Sequence, residues 1–272
     1  MTLRVAVTGA GGRMGREVLA AVDDREDCVA AFAVNRSPTD PVAGVEVADA
    51  ADLPDLLAER DPDALVDFTG PDSSVDYVAA CAEAGVPAVV GTTGFADDHR
   101  DALADAAESV PVLRASNFSR GVAALRRAVR AAAGALPGYD VEVTETHHDG
   151  KTDAPSGTAK TLLADVEAER PDLTERVHGR EGDQPRTESE IGVHARRAGD
   201  VAGEHEVLLA GDENVLELTH RAGSRRVFAA GALDAAAWLA GRPAGAYDFE
   251  DVLDADDGPT GTTGTTEETQ TR

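Results

Sequence analysis

Several residue types are scarce in this sequence, and each shortage excludes a class of protein. Cysteine occurs only twice in 272 residues, as Cys28 and Cys81, too few for a disulfide framework or a thiolate metal site. We therefore expect both to be small buried residues. Apolar runs of roughly eighteen residues are absent, and the N-terminal MTLRVAVTGAGG lacks the basic-then-apolar order of a signal peptide. The sequence thus predicts a soluble, cytoplasmic protein.

Positive charge is also scarce. Lys and Arg together number 25 against 51 Asp and Glu, for a formal net charge of -26. Because nucleic acids and anionic membranes bind basic patches, both are excluded as partners. The acidic residues are spread along the chain and aromatic residues make up 4% of it, a pattern typical of proteins from concentrated salt. A halophilic source is predicted, and the only two lysines, Lys151 and Lys160, each need a specific reason.

The first part of the chain alternates between strand-like and helix-like segments. Predicted strands lie at 3–7, 29–34, 64–68, 87–91 and 112–115, and predicted helices at 16–22, 54–60, 73–84 and 97–108 separate them. This alternation is typical of a parallel sheet covered on both faces. We predict an α/β fold with a Rossmann-like, doubly wound parallel sheet, formed by residues 1–117 and completed by residues 228–254.

The pattern changes after residue 117. A helix is predicted at 120–133, a strand at 141–146 and a helix at 159–169. The segments IGVHARR, EHEVLLAG, NVLELTHR and RRVFAAG, which begin at residue 191, are predicted strands joined by short turns, and a helix at 233–240 returns to the first domain. Residues 118–227 thus form a second, α+β domain with a mainly antiparallel sheet. Residues 255–272 are a low-complexity tail that we expect to be disordered.

A glycine-rich turn follows the first predicted strand and opens the first helix. It contains Gly9, Ala10, Gly11, Gly12, Arg13, Met14 and Gly15. Missing side chains let the backbone approach a pyrophosphate, whose charge then meets the amides and the positive end of the helix dipole. The turn is therefore a candidate site for a dinucleotide. A strict G-x-G-x-x-G motif would place its third glycine at residue 14, so an ordinary tight turn is the alternative.

The end of the second predicted strand indicates which coenzyme binds. An acidic residue there would accept hydrogen bonds from the ribose of NAD, whereas a basic residue would meet the 2′-phosphate of NADP. The sequence has Asn35 and Arg36 and no carboxylate. NADPH is therefore favoured, with NADH as a second coenzyme. The alternative is that Arg36 is one more solvated arginine.

Two further loops follow predicted parallel strands, at the edge where open α/β sheets bind ligands. They comprise Gly91, Thr92 and Thr93 in GTTGF, and Ala115, Ser116, Asn117 and Phe118 in ASNFS. Their backbone and hydroxyl groups could hold a nicotinamide carboxamide. Simple turn chemistry is the alternative.

The segment ETHHDGKTDAPSGTAK combines several chemically active residues. His147 and His148 would point to opposite faces of a strand, and no ligands stand nearby at metal spacing, so no metal site is predicted. Ser156, Gly157 and Thr158 precede a helix, where free amides and hydroxyls can bind a carboxylate beside the charge of Lys151. These residues indicate an anion pocket with a proton-transfer group. The alternative is a serine cap, a surface lysine and two solvated histidines.

The chain resembles the 4-hydroxy-tetrahydrodipicolinate (dihydrodipicolinate) reductase family from residue 5 to about residue 253. The resemblance rests on VTGAGGRMGR, DFTGPDSS, GTTGF, NFSRGV, ETHHDGKTDAPSGTA, IGVHARRAGDVAGEHEV and LTHRAGSR, in the family's order. HH-x-x-K followed by DAPSGTA is its most specific element. It implies hydride transfer from NADPH or NADH to C4 of a cyclic imine, with loss of water and protonation of the enamine, in the diaminopimelate route to lysine.

The resemblance also implies roles for individual residues. His147 matches the family's acid/base histidine and Lys151 its proton-donating lysine. The carboxylates of a small dicarboxylate substrate would be bound by His148, Lys151, Ser156, Gly157, Thr158 and Arg225. Gly70 stands where some relatives have an arginine near the cofactor phosphates, and Asn35 where NADH-preferring members have an acid, which leaves the coenzyme preference open. A homotetramer assembled through the sheets of residues 118–227 is implied as well.

Two other functions compete with this interpretation. A different amino-acid dehydrogenase, such as one acting on an aspartate-derived semialdehyde, would share the nucleotide domain but lack HH-x-x-K and DAPSGT. A catalytically silent nucleotide sensor would have lost His147 or Lys151. This sequence retains both motifs and both residues.

Overall fold

The computed structural model describes residues 2–256 and forms, within that range, two sheets and eight α-helices. In chain order the elements are β1 (Leu3–Thr8), α1 (Arg13–Asp23), β2 (Cys28–Asn35), β3 (Val47–Asp49), α2 (Leu53–Arg60), β4 (Ala64–Asp67), α3 (Pro71–Ala84), β5 (Ala88–Val90), α4 (Asp97–Ala107), β6 (Pro111–Arg114), α5 (Arg120–Ala135), β7 (Asp140–His147), α6 (Gly157–Glu169), β8 (Glu175–His178), β9 (Glu190–Arg197), β10 (Glu204–Ala210), β11 (Val215–Arg221), α7 (Arg226–Leu239), β12 (Gly245–Tyr247) and α8 (Phe249–Asp256). Among these helices, none is long and apolar enough to cross a bilayer.

The first sheet confirms the predicted Rossmann-like architecture. Its seven strands run in the order β12, β6, β5, β4, β1, β2, β3, and every pairing is parallel. The strand order reverses beside β1, which lies between β4 and β2. Since open parallel sheets bind ligands outside the carboxyl ends of their strands at such a reversal, the loops after β1, β4, β5 and β6 mark the expected site.

Helices cover both faces of this sheet. One apolar cluster includes Val18 of α1 and Leu233 of α7, and the other includes Leu57 of α2 and Val78 of α3, all completely buried. Parallel strands buried on both faces need continuous apolar runs, which β4 supplies with ALV. The doubly wound arrangement therefore follows from the apolar pattern of the strands and the amphipathic helices between them.

Each cysteine belongs to one of these two apolar clusters. Cys28 lies in the cluster of α1 and α7, and Cys81 lies in the cluster of α2 and α3. Both are free thiols and both are buried, as the sequence predicted. Burial raises the pKa of Cys28 to about 11 and raises that of Cys81 further. Neither thiol is therefore ionised near neutral pH.

The second sheet is mixed, which corrects the prediction of a mainly antiparallel sheet. Its order is β11, β10, β7, β9, β8. β10 pairs antiparallel with β7 and β11, whereas β9 pairs in parallel with β7 and β8. The chain between β7 and β9 passes through α6 and β8, a crossover long enough to make these strands parallel. The residue pattern within each strand does not indicate this connection, so it does not indicate the strand direction.

Helices α5 and α6 cover one face of the second sheet. Val129 of α5 and Leu162 of α6 are completely buried against Val143, Val207 and Leu209 of the strands. Alternate residues of β10 are buried, as expected for a strand with one face on a core. The other residues of β10 point to the opposite face and are only half-buried.

The segment RRVFAAG is helical, and the prediction of a strand there is wrong. α7 begins at Arg226, seven residues before the helix start predicted at residue 233. Ala229, Ala232 and Leu233 recur at helical spacing and are completely buried. The five apolar residues 227–231 of this segment cannot by themselves distinguish a strand from a buried helix. A Cβ on Gly231 would lie 1.8 Å from the carbonyl oxygen of Phe118, so glycine lets α7 pack against the ASNFS loop.

Several short elements, β3, β8, β12 and α8, were not predicted. The three strands have three or four residues each, too few to show a periodic pattern. Ala255 and Asp256, the first residues of the predicted tail, belong to α8. Residues 257–272 of that tail lie outside the described residues.

Candidate active site

A cavity of about 240 Å³ lies between the carboxyl edge of the first sheet and the loop that follows β7. It brings together predicted residues from both domains, namely Met14, Gly91, Thr93, Ser116, Asn117, Phe118, His147, Lys151, Ser156, Gly157 and Thr158. Phe68, Asp153 and Phe228 also line it and were not predicted. The fold thus joins the proposed nicotinamide loops with the HH-x-x-K and SGT residues in one space.

The glycine turn has the form of a phosphate cradle. The N-cap of α1 is Gly12, which supplies no side-chain hydrogen bond, and the first helical turn has no acidic residue. The first amides of α1 therefore remain available to an anion. A Cβ on Gly15 would lie 2.1 Å from the carbonyl oxygen of Gly9, and one on Gly9 would lie 2.8 Å from Cγ2 of Thr69. Gly15 thus serves the close packing that a third glycine provides, one position later than in the strict motif.

Burial of Ala10 and two backbone hydrogen bonds fix the glycine turn in place. Ala10 is completely buried, and its amide donates to the carbonyl oxygen of Val34 at the end of β2. The amide of Gly12 donates to the carbonyl oxygen of Gly9 at 2.9 Å. These bonds hold the turn against the sheet. The site therefore fits the pyrophosphate of a dinucleotide.

Asn35 is fixed beside the glycine turn, and two arginines lie near it. The Asn35 side chain accepts from the Gly11 amide at 3.3 Å and donates to the Ser37 carbonyl oxygen at 2.8 Å. Arg36 is exposed and makes no hydrogen bond or ion pair within the described residues. Arg16, which was not predicted, donates to the Gly11 carbonyl oxygen at 3.1 Å. This end of the site therefore carries cations and no carboxylate at the tip of β2.

A buried carboxylate that was not predicted ties the strand ends together. Asp67, at the end of β4, is completely buried and accepts hydrogen bonds from four hydroxyl groups. The donors are Thr8 at 2.6 Å, Thr69 at 2.7 Å, Ser74 at 2.5 Å and Thr92 at 2.9 Å. Thr92, a predicted cofactor residue, therefore turns its hydroxyl away from the cavity. The neighbouring residues Phe68 and Gly91 face the cavity instead.

The ASNFS loop contacts the second domain directly. Asn117 donates from its side-chain amide to Oγ1 of Thr158 at 3.0 Å and accepts from the Ser119 amide at 2.8 Å. The Ala115 amide donates to the carbonyl oxygen of Val90, so this residue continues the sheet and does not line the cavity. Asn117 therefore connects the proposed nicotinamide loop to the proposed anion pocket.

His147 belongs to a hydrogen-bonded chain of three residues. Glu145, which is almost completely buried, lies 2.6 Å from Nδ1 of His147 and accepts two bonds of 2.8 Å from Arg197. Burial would raise the pKa of Glu145, but hydrogen bonds from His147 and Arg197 outweigh it and lower the pKa to about 2. Alternation along β7 places Glu145 and His147 on one face, a signal already present in the sequence. Arg197 lies 52 residues from Glu145 along the chain, and no local sequence pattern indicates that the two side chains meet.

The loop that carries Lys151 is held by the same arginine. Arg197 donates to the carbonyl oxygens of Lys151 and Asp153 at 3.2 and 2.6 Å. The Lys151 ammonium group lies 2.6 Å from the Asp153 carboxylate. Burial raises the pKa of Asp153, but the bond from Lys151 outweighs it, so the net shift is downward. Lys151 is therefore a charged group at the cavity wall, positioned by its neighbours.

His148 and Arg225 lie outside the cavity lining but beside it. Nε2 of His148 lies 3.4 Å from a guanidinium nitrogen of Arg13 in the glycine turn, so the two domains meet at this point. Burial first, and then the positive charges of Arg225 and Arg13, lower the pKa of His148. Arg225 lies 3.7 Å from the carboxylate of Asp200. Arg225 and Arg13 therefore form a cationic rim beside the cavity, and His148 lies at this rim as a mainly neutral imidazole near pH 7.

Ser156 is fully engaged in holding the start of α6. Its hydroxyl accepts from the Ala159 amide at 3.1 Å and lies 3.1 Å from Nε2 of His205, while its amide donates to Glu145 at 3.1 Å. Gly157 and Thr158 follow it at the positive end of the helix and line the cavity. Ser156 thus orients the anion pocket, and the groups after it face the cavity. No cluster of three or more potential metal ligands occurs among residues 2–256.

Comparisons with known proteins show the family of the chain. Residues 3–118 match the family model described as "Dihydrodipicolinate reductase, N-terminus", and residues 121–253 match "Dihydrodipicolinate reductase, C-terminus". The chain belongs to the dihydrodipicolinate reductase family. The two matched ranges cover the dinucleotide-type sheet and the domain that carries His147 and Lys151.

Relatives within the dihydrodipicolinate reductase family match nearly the whole chain. The 4-hydroxy-tetrahydrodipicolinate reductase of Natronomonas pharaonis is 55% identical over 251 residues, covering 92% of this chain and 100% of the relative. That of Haloarcula marismortui is 53% identical over 252 residues, covering 93% and 99%. Dipicolinate-bound dihydrodipicolinate reductase from Paenisporosarcina sp. TG-14 has a TM-score of 0.74 at 26% identity, covering 93% of this chain and 100% of that chain.

Proposed function

We propose that this chain reduces 4-hydroxy-tetrahydrodipicolinate to tetrahydrodipicolinate with NADPH or NADH, the step in the diaminopimelate route to lysine that the named relatives carry out. One observation carries the proposal: the cavity is lined both by the loops of the dinucleotide domain and by His147, Lys151, Gly157 and Thr158. We expect a semialdehyde dehydrogenase to lack the second set, and a silent sensor to have lost His147 or Lys151.

The dinucleotide would be held by residues that fit it. The pyrophosphate would lie on the amides that follow Gly12, and the carboxamide end would lie near Gly91, Thr93 and Asn117. When bound, the reduced coenzyme supplies the hydride that C4 of the substrate accepts. Phe68 and Phe118, whose ring centroids are 5.8 Å apart, would exclude water from this end of the cavity.

His147 and Lys151 would handle the protons. Because Glu145 is ionised, Nδ1 of His147 donates to it and Nε2 remains for exchange with the substrate. Nε2 makes no hydrogen bond within the described residues. The Lys151 ammonium group, 2.6 Å from Asp153, is a second proton donor at the cavity wall. These groups would assist departure of the C4 hydroxyl as water and protonate the enamine carbon after reduction.

The substrate carboxylates would be bound by the start of α6 and by the cationic rim. Backbone amides at Gly157 and Thr158 lie at the positive end of the helix dipole, and Lys151 and Arg225 add positive charge. The pKa of His148 is lowered by burial and by the nearby arginines, so its neutral imidazole can donate a hydrogen bond but adds no charge. A dianion approaching a chain of net charge -26 needs such local cations. This need explains why lysine is retained at position 151.

For the coenzyme, we propose a preference for NADPH over NADH. Asn35 provides no carboxylate to the ribose, the exposed Arg36 follows it in the chain, and Arg16 donates to Gly11, whose amide Asn35 accepts. A 2′-phosphate would be stabilised by both guanidinium groups, whereas the ribose hydroxyl of NADH would gain less from them.

A direct assay tests the function. Loss of NADPH or NADH absorbance is followed in concentrated KCl, with a synthase supplying the condensation product of pyruvate and aspartate semialdehyde. We expect Lys151→Ala to lower turnover by roughly two orders of magnitude, the scale of one general acid, while NADPH binding stays near that of the wild type. Lys160→Ala, which removes the exposed second lysine, is the matched control. Unchanged turnover in Lys151→Ala would refute the role of Lys151, and no turnover by the wild type would refute the function.

We further propose a cytoplasmic homotetramer from a halophilic source. The half-buried face of the second sheet and the exposed side chains of Val215 and Leu216 on β11 offer a surface for another copy of the chain. Sedimentation equilibrium in molar KCl, with Val215→Glu as a variant, tests the assembly. A wild type that sediments as a monomer would refute it.

A further inference from the structure

A second histidine, His205 on β10, lies beneath His147 and takes no part in the proposed chemistry. It is 2% exposed and pairs in register with Glu145 on the neighbouring strand β7. The ring centroids of His205 and His147 are 5.2 Å apart with an interplanar angle of 73°, an edge-to-face contact. His205 therefore packs directly against the His147 imidazole.

The same histidine also touches the anion pocket. Its Nε2 lies 3.1 Å from the hydroxyl of Ser156, the residue that caps α6 and donates its amide to Glu145. One side chain thus contacts both the proton-transfer group and the helix start that would bind carboxylate. The other nitrogen, Nδ1, is buried and has no hydrogen-bond partner among residues 2–256.

The charge state of His205 matters because His147 and Lys151 lie nearby. Burial first, and then the positive charge of His147, lower the pKa of His205 to about 3. The ring is therefore neutral near pH 7. It can support His147 without adding a second positive charge beside a group that carries a proton during the reaction.

The space around the two rings is shaped by a glycine. A Cβ on Gly203 would lie 3.1 Å from Nε2 of His147 and 3.8 Å from Cε1 of His205. A side chain at this position would therefore crowd the atom proposed to exchange the proton. Gly203 and His205 thus border the His147 ring, whose Nδ1 is bonded to Glu145.

We propose that His205 is a positioning residue that fixes His147 and the Ser156 turn relative to each other. Its ring supports the His147 imidazole, and its Nε2 holds the Ser156 hydroxyl at the start of the anion pocket. The inference rests on the proposed role of His147. It assigns two separable tasks to one side chain, because the ring contact and the hydrogen bond involve different atoms.

Two substitutions separate these tasks. His205→Phe keeps a ring beneath His147 but removes the bond to Ser156, so we expect KM for the substrate and Kd for dipicolinate to rise roughly three- to tenfold with kcat nearly unchanged. His205→Gln keeps a group that can bond to Ser156 but removes the ring. We expect kcat to fall roughly 10- to 100-fold with the dipicolinate Kd unchanged, because a displaced acid reacts slowly. Dipicolinate binding is measured by calorimetry without turnover.

The chain provides a matched control in His220 on β11. His220 pairs in register with His205, lies 3.1 Å from the hydroxyl of Ser119, the cap of α5, and also has a buried, unpartnered Nδ1. It makes no ring contact with His147 within the described residues. His220→Phe and His220→Gln are expected to lower thermal stability without separating kcat from KM.

Three outcomes would overturn the inference: equal changes of kcat and KM in both His205 variants, the same separation in the His220 variants, or wild-type values in the His205 variants. If His205→Phe does not fold in molar KCl, His205→Gln decides, since it must lower kcat at unchanged dipicolinate affinity. His147→Gln is assayed in parallel. Wild-type turnover by that variant would refute the role of His147, whereas an inactive His147→Gln without the separation would refute only the role of His205.

Discussion

Nδ1 of His147 lies 2.6 Å from Oε2 of Glu145, two residues earlier on the same strand. Since the pKa of Glu145 is lowered to about 2 by its bonds to His147 and Arg197, which outweigh the effect of burial, the carboxylate is ionised and Nδ1 must be the donor. The tautomer and the ring orientation of His147 are thereby fixed. This carboxylate–imidazole pair has the same logic as the Asp–His pair of serine hydrolases.

Glu145→Gln should therefore inactivate the enzyme without removing any group from the cavity wall. The glutamine amide can present NH₂ to Nδ1, which favours the wrong tautomer and weakens the link to Arg197. We expect turnover to fall by roughly 10²- to 10⁴-fold, while KM for NADPH changes little. Steady-state assays in molar KCl measure both quantities.

Glu206→Gln is the control for this substitution. Glu206 lies on the neighbouring strand β10 in register with Thr144 and is only half-buried. Near-normal activity of this variant would show that removing a carboxylate from this sheet is not by itself sufficient to inactivate the enzyme. Retention of more than about a tenth of wild-type turnover by Glu145→Gln would contradict the orienting role.

Acid stability provides a test of the buried histidine. The folded protein holds His205 at a pKa of about 3 against an ordinary value of 6.5, so between these pH values the unfolded chain binds a proton that the folded chain does not. The contribution of neutral His205 to the free energy of unfolding is fully present above pH 6.5 and is lost as the pH falls toward 3. The loss should amount to roughly 3–5 kcal/mol.

Urea unfolding in molar KCl at pH 7, 5 and 4 measures this effect. The free energy of unfolding of His205→Gln should fall less steeply with decreasing pH than that of the wild type, because glutamine cannot take up the proton. Glu145, whose folded pKa is about 2 against 4.5, adds a further loss below pH 4.5 in both proteins. Parallel pH curves for wild type and variant would show that His205 is protonated in the folded state.

The parts of the site that sequence could predict are those coded by local pattern. The glycine turn, the GTTGF and ASNFS loops and the DAPSGT helix start each follow a predicted element, and the parallel sheet brings their ends together because carboxyl ends of its strands share one edge. Lys151 stands out in the sequence because lysine is otherwise nearly absent. Such signals need no knowledge of which residues touch.

The parts that were missed depend on contacts between distant residues. Thr8 and Asp67 are 59 positions apart, Glu145 and Arg197 are 52 apart, and Ser156 and His205 are 49 apart. A single sequence does not show that these side chains meet. The mixed sheet was missed for the same reason, since the crossover between β7 and β9 decides strand direction. The contact between Glu145 and His147 could be predicted from the sequence, because residues two apart on a strand such as β7 lie on the same face.

Arg36→Asp should weaken NADPH binding far more than NADH binding. The substitution replaces a cation beside the expected 2′-phosphate with an anion, whereas the ribose hydroxyls of NADH can donate hydrogen bonds to a carboxylate. KM for NADPH should rise roughly 10- to 100-fold, the scale of charge-assisted hydrogen bonds, and KM for NADH should change little. Arg60→Asp, at an exposed arginine that ends α2, is the matched charge reversal. Equal effects on the two coenzymes would place the phosphate contact elsewhere, with Arg16 as the next candidate.

Activity should also depend on concentrated salt. With a net charge of -26, like charges repel across the surface, and the screening length grows from about 3 Å at 1 M to about 10 Å at 0.1 M salt. The ion pairs of Arg126 and Arg130 with Asp165 are partly buried, so salt screens them little. Their attraction therefore gains little strength on dilution and cannot offset the surface repulsion that dilution restores.

Dilution from molar to 0.1 M KCl should therefore lower turnover and the unfolding temperature together, and restored salt should recover them. Sucrose separates the two explanations, because it strengthens apolar burial by exclusion from the surface but does not screen charge. If screening is the cause, sucrose at matched osmolality restores the activity only in small part. Full activity in dilute buffer would contradict a halophilic design, and full rescue by sucrose would assign the salt requirement to apolar burial.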